Sequence, residues 1–268
     1  MASFSVVNNV ASANAQANLS IANVGLNRAL ARLSSGLRIN MSGDDAAGLA
    51  VANGYRSKVA ILNQGIRNAN DGLSALQIKD GALNNISNLL DRLATLATQA
   101  ASTAGGVNIS TLSSEFSTLT TEIDREAAVA SMTASASFSV FVSSESTVGD
   151  GAVSGTIGGV TVALLGITQT TFTTATQAQT ALTQVSSAIS TLGGVQNSVG
   201  VLENRLQYAI TLSQSQSVNT QAAESRIRDA NMAEESAAMT RYNILTQSGL
   251  AALAQANQAS GSVLALLR

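Results

Sequence analysis

The chain has 268 residues without a cysteine, histidine, proline or tryptophan, and each absence removes a class of chemistry or structure. Without Cys and His there are no disulfides, no thiolate or imidazole metal ligands, no Cys or His nucleophile and no usual proton shuttle at neutral pH. Serine and threonine are abundant, but the only lysines are Lys58 and Lys79, so a nucleophilic triad has no base. No catalytic, cofactor or metal site is expected, and the chain is read as something other than an enzyme. Aromatic residues make up only 3%, so the interior must be built from Leu, Ile, Val and Ala, which favours helix packed on helix. Charge is scarce too, at 11%, with 14 basic against 16 acidic residues. That balance gives no electrostatic reason to bind nucleic acid or an anionic membrane. The first residues lack a basic segment and their apolar positions are interrupted by Asn, Gln and Ser, so neither a cleaved signal peptide nor a membrane span is expected.

The few charges are unevenly placed. Residues 1–27 carry none, none appears between Arg241 and Arg268, and Gly151 to Leu202 is a third uncharged stretch of 52 residues. In the first arm Leu19, Leu26, Leu30, Leu33 and Leu37 recur at helical spacing and form one stripe, which ends near Gly36. Around Ser42, Asp44 and Asp45 the sequence offers an N-cap with acidic residues, followed by Ala-rich helix formers. A long helix is expected from about residue 45 to 103, with a seam at Leu76, Leu83, Ile86, Leu90, Leu93 and Ala97 that Lys79 interrupts. Gly105-Gly106 should stop it, and a shorter helix should run from about Ser110 to Ala130.

The middle differs in kind. Residues 131–176 hold 18 Ser or Thr in 46 positions, with apolar residues alternating as in strands. Val153, Gly155 and Ile157, then Val160, Val162 and Leu164, flank Gly158-Gly159, a pattern that suits a tight hairpin turn. Helical spacing resumes at Leu182, Val185, Ile189 and Leu192, then continues through Val195, Val199, Leu202 and Leu206 after a one-step stutter. Finally Leu250, Leu253, Leu264 and Leu267 share a heptad register, so the two terminal helices can pair. The expected fold is mainly α: an elongated antiparallel helical bundle or coiled coil with paired N- and C-terminal helices and a small β-hairpin region in the middle.

The terminal arms carry an argument about function. The outer faces of a monomeric bundle meet water and need charge for solubility, whereas these arms present Asn, Gln, Ser and Ala all round. Helices without charge on any face are suited to burial among copies of themselves. Head-to-tail contacts of that kind, if they do not close into a ring, give an open helical filament.

Several blocks then carry a resemblance. Arg32-Leu33-Ser34-Ser35-Gly36-Leu37-Arg38-Ile39-Asn40, followed by Asp44-Asp45-Ala46-Ala47-Gly48 and by Arg67-Asn68-Ala69-Asn70-Asp71-Gly72, resembles the opening of bacterial flagellins. Ser225-Arg226-Ile227-Arg228-Asp229-Ala230, Leu253-Ala254-Gln255-Ala256-Asn257-Gln258 and Val263-Leu264-Ala265-Leu266-Leu267-Arg268 resemble the family's closing blocks, in order. The resemblance implies the subunit of the flagellar filament used for swimming, with a hook-filament junction or adaptor protein as the alternative.

It further implies an inner core domain of residues 1–41 plus 225–268, an outer helical domain of 42–130 plus 177–224, and a β-hairpin excursion at 131–176, too short for large outer domains. Filament-core packing falls to Leu19, Leu26, Leu30, Leu33, Leu37, Leu250, Leu253, Leu264 and Leu267. The outer-helix seam falls to Leu83, Ile86, Leu90, Leu93, Leu182, Val185, Ile189 and Leu192. Other implied partners are the flagellar export apparatus, chaperone and cap proteins, and Toll-like receptor five through Arg92, Leu96 and Glu115. The implied location is extracellular. After Glu122-Ile123-Asp124-Arg125 the chain departs from the Phe-Asn-Gly turn of many relatives and has Ala127 to Thr133 instead.

Overall fold

The structure, a computed structural model, describes residues 8–102, 108–143 and 151–265, with side chains as far as 258. Five helices and two strands follow in the order α1 (Val10–Ser35), α2 (Ala46–Ala101), α3 (Ile109–Val129), β1 (Ala136–Phe141), β2 (Ala152–Ile157), α4 (Ala175–Arg228) and α5 (Met232–Ala265). The architecture is therefore mainly helical, with one two-stranded antiparallel sheet. The chain divides into two compact units, Met1–Ser57 with Asn219–Arg268, and Lys58–Val218. These cuts pass through α2 and α4, not at residues 41/42 and 224/225.

In the second unit, α2, α3 and α4 enclose one apolar core. The α2 seam is as the spacing implies: Leu76, Leu83, Ile86, Leu90, Leu93 and Ala97 are all fully buried. Lys79 is no break in it. Its ammonium donates to the carbonyls of Ala130 (2.8 Å) and Ser131 (3.2 Å) at the end of α3, where a cation meets the negative end of the helix dipole. Partial burial lowers its pKa.

The α4 seam differs from the one read in the sequence. Its buried apolar residues are Ala178, Ala181, Val185, Ala188, Leu192, Val195, Val199, Leu202 and Leu206, an unbroken alternation of three and four. There is no stutter, because the layers assigned to Leu182 and Ile189 belong to Ala181 and Ala188. Leu182 packs at the edge of the core and Ile189 is 37% exposed. Close packing against two neighbouring helices selects the small side chain at these layers.

The ends of α3 show how local geometry replaces an expected turn. Asn108 caps its start by accepting from the Thr111 amide. At its end the Met132 amide donates to Ala127 O and the Ser131 amide to Ala128 O, a Schellman motif with Ser131 in the left-handed region at φ 53°. Ser131→Gly is expected to stabilise the Lys58–Val218 unit by about 0.5–1 kcal/mol, since glycine takes that φ without steric cost. Urea denaturation would show the midpoint rising; a fall would refute the assignment of strain to Ser131.

The hairpin also differs. Ala136–Phe141 pairs with Ala152–Ile157, with Ala136 opposite Ile157 and Phe141 opposite Ala152; the connecting residues 144–150 lie outside the described residues, as does Gly105-Gly106. Gly158-Gly159 is not a turn between strands but the exit from β2, and neither glycine has positive φ. A Cβ on Gly159 would collide with Ala134 and Leu164, so close approach explains it. Residues 161–165 form a single helical turn instead of a strand, closed by Gly166 at φ 79°. The Asp124 carboxylate pins this segment by accepting from the Val162 amide at 2.8 Å. Ser113 accepts from the buried Phe172 amide at 2.9 Å, and the Phe172 ring meets Phe116 edge-on at 5.3 Å.

Candidate functional site

The first unit holds the residues expected to pack in a filament core. Helix α1 begins with Asn9, whose side chain accepts from the Ser12 amide, and ends at Gly36, whose φ of 72° is open to glycine at little cost. Its stripe toward α5 is Ala15, Leu19, Ala22, Leu26, Ala29 and Leu33, with Ala22 and Ala29 buried and the rest partly so. Alternation of Ala and Leu lets the helices approach closely. Leu30 is 44% exposed, so it lies off this stripe. Leu37 has left the helix altogether and pairs in a β-bridge with Asp229.

The answering face of α5 is Glu235, Ala238, Tyr242, Thr246, Gly249, Leu253 and Ala256, which are partly buried at steps of three and four. Leu253 is thus in the seam, whereas Leu250 is 56% exposed. The backbone of Leu264 continues α5, its side chain lies outside the described residues, and so does Leu267 entirely. The Tyr242 ring lies where a Cβ on Gly25 would stand, so that glycine admits the aromatic ring at the centre of the pair. Polar contacts fix the register at both ends. Asn9 Nδ2 donates to Ala256 O at 3.0 Å, and Ser12 Oγ to Asn257 Oδ1 at 3.0 Å. At the other end the Arg38 amide donates to Arg228 O (2.6 Å) and the Ala230 amide to Gly36 O (2.9 Å).

What this pair leaves uncovered matters most. Ile21, Val24, Leu30, Ile244, Leu245 and Leu250 all stand exposed, beside an open groove of about 590 Å³ lined by Leu19, Ala22, Tyr242, Leu245 and Gly249. No charged residue lines that groove, and Arg28 and Arg241 are the nearest charges along the two helices. An apolar surface so poor in charge is a candidate interaction surface. Gross burial of six such side chains is worth on the order of 10 kcal/mol before the costs of association.

The remaining expected residues lie in the second unit. Leu83, Ile86, Leu90, Leu93, Val185 and Leu192 are buried there. Arg92 and Glu115 face each other across α2 and α3, with Arg92 Nε donating to Glu115 Oε1 at 3.0 Å, and both are well exposed. Leu96 does not join them. It is 1% exposed inside the helical core, because one residue in four along α2 turns inward where α3 covers it, so it is unavailable to a receptor. Among the described residues no group of three or more acidic side chains could hold a metal ion, and no helix is long and apolar enough to cross a membrane.

Sequence reasoning placed Asp44 and Asp45 together at the start of α2 without dividing their roles. Asp45 is the N-cap, accepting from the Gly48 amide at 2.8 Å, whereas Asp44 belongs to the preceding turn and faces α1. Only the Asp-Asp doublet signalled this, and spacing alone cannot divide the two roles.

Comparison with known proteins agrees with this arrangement. Residues 6–139 match the family described as bacterial flagellin N-terminal helical region, and residues 175–267 match the bacterial flagellin C-terminal helical region. The flagellin of Halalkalibacterium halodurans is 36% identical over 92% of this chain and 95% of its own length. The flagellar filament 33 kDa core protein of Treponema phagedenis is 34% identical over 95% of this chain and 96% of its own. The crystal structure of Bacillus cereus flagellin is similar at 28% identity and a TM-score of 0.47, over 59% of this chain and 94% of that one. Both terminal regions, joined in space as the α1–α5 pair, are thus matched together with nearly the whole length between them, and the chain belongs to the bacterial flagellin family.

Proposed function

We propose that this protein is a structural subunit that self-assembles into the bacterial flagellar filament through its paired terminal helices. The observation that carries the reading is the exposed apolar surface of α1 and α5, whose groove is lined by no charged residue. Copies of the chain cover that surface when they stack head to tail in an open helix. The flagellins and flagellar filament core proteins it is similar to are structural proteins, and it acts as one, outside the cell, without catalytic chemistry. Its Pro-free sequence avoids slow prolyl isomerisation, which suits export unfolded and refolding at a growing tip. Export apparatus, chaperone and cap proteins are its partners on that route. Seeded polymerisation of the purified protein tests the reading, with sedimentable polymer expected and persistent monomer contradicting it.

Toll-like receptor five is a further partner of the unpolymerised subunit, through Arg92 and Glu115 alone. Their ion pair is solvent-exposed and so contributes little to stability, which leaves both groups free to exchange partners at small cost. Arg92→Ala is expected to weaken receptor binding by at least about tenfold, as for an arginine at the centre of an interface. A binding titration with unchanged affinity would remove this contact.

A further inference from the structure

Asp44 lies outside α2 yet joins three segments of the chain. Its Oδ2 accepts from the backbone amides of Asn40 (3.3 Å) and Met41 (3.2 Å), closing the turn that precedes the helix. Its Oδ1 faces Arg28 Nε at 3.9 Å and Arg32 Nη2 at 3.7 Å on α1. Arg32 in turn donates through Nη1 to Glu235 Oε1 at 3.2 Å, in the first turn of α5. These side chains are largely shielded: Asp44 is 11% exposed, Glu235 15% and Arg32 24%. Arg32 Nε is buried with no hydrogen-bond partner, so the two carboxylates are what hold its guanidinium in place. The geometry also suits both helix dipoles, with a cation in the last turn of α1 and an anion in the first turn of α5.

We propose that Asp44 is a positioning residue for self-assembly: acting through Arg32, it sets the pairing of α1 against α5, and neutralising it loosens the turn and the pair together. This rests on the filament reading above. The groups around Asp44 are accounted for on each side. Arg28 and Arg32 face it from α1, Asp45 turns away to the Gly48 amide, and Glu235 reaches it only through Arg32. Glu234 and Arg241 line the same cavity of about 270 Å³ beside α5.

The Met41 amide above all, helped by the Asn40 amide and the two arginines against the cost of burial, holds the Asp44 carboxyl below the ordinary aspartate range. A carboxylate so lowered adds stability that is present above the ordinary aspartate pKa and is lost as pH falls through its own lower value. Asp44→Asn therefore loses at neutral pH what the natural chain loses only in acid.

The test compares the natural chain with Asp44→Asn by two readouts across pH. Amide hydrogen exchange, taken relative to the intrinsic rate at each pH, should be roughly tenfold faster in the variant at Asn40 and Met41 and also around Glu235, and the loss of protection expected of the natural chain in acid should be flattened. The critical concentration for seeded polymerisation should rise by about tenfold at pH 7. Faster exchange confined to residues 40 and 41, with polymerisation unchanged, would make Asp44 a turn cap only and overturn the proposal, as would unchanged exchange throughout. Exchange can be read on unpolymerised chain, so a natural chain that never polymerises would refute the filament reading while exchange still decides the role of Asp44.

Discussion

Leu253→Asp abolishes polymerisation: at concentrations where the natural chain assembles on seeds, the yield of sedimentable polymer falls at least about a hundredfold. Leu253 lies partly buried in the α5 stripe between Gly249 and Ala256, one turn from the Asn9–Ala256 and Ser12–Asn257 contacts that fix the register of the pair. No basic residue occurs on α5 beyond Arg241 to accept the new carboxylate. An unpaired charge in this seam between α1 and α5 costs several kcal/mol, and a hundredfold loss needs only about 2.7 kcal/mol. Leu253 belongs to the other unit, and the unfolding midpoint of Lys58–Val218 is expected to stay at the natural value. Polymer at the natural yield would show that assembly does not depend on the α1–α5 seam.

Phe116→Ala has the opposite distribution of effects. Phe116 is fully buried on α3 and meets Phe172 edge-on, while the Phe172 amide is anchored on Ser113. Removing the ring opens a cavity and frees the segment after β2, at a cost of about 3–5 kcal/mol. That is a large part of the stability of a single domain. Urea denaturation of the monomer should show the midpoint falling accordingly, whereas Phe141→Ala, at a ring 42% exposed, should cost under about 1 kcal/mol. A loss below 1 kcal/mol for Phe116→Ala would mean that the α3 face is not the core it is taken to be.

The helices were legible in the sequence because their signals are local. The stripe of leucines, Gly36 as a C-cap, the Asp doublet before α2 and the Ser110 start of α3 all fall within one residue or two of the observed ends. Contacts between distant segments were less so. Ala181 and Ala188 line the α4 seam in place of Leu182 and Ile189, a choice made by the closeness of neighbouring helices, which spacing does not report. Lys79 read as a break in a seam because its partners, the carbonyls of Ala130 and Ser131, are about fifty residues away along the chain. Gly158-Gly159 imitates a hairpin turn, yet its need for glycine comes from close packing at Ala134.

The candidate site divides in the same way. Leu19, Leu26, Leu33 and Leu253 were found by periodicity, and the absence of charge disclosed that the outer face needs a partner. Leu30 and Leu250 share the helical spacing but stand exposed on that outer face in the single chain. Of the three residues read as a receptor contact, Glu115 and Arg92 pair at the surface, while Leu96 turns into the core. The relay from Asp44 through Arg32 to Glu235 joins residues about two hundred positions apart and has no periodic signature at all.

The most direct test of the central claim is electron microscopy of the purified natural chain after seeding, beside Leu253→Asp under the same conditions. The account predicts long filaments of uniform diameter from the natural chain and none from the variant. Discrete closed complexes from the natural chain, or equal filaments from both, would contradict it.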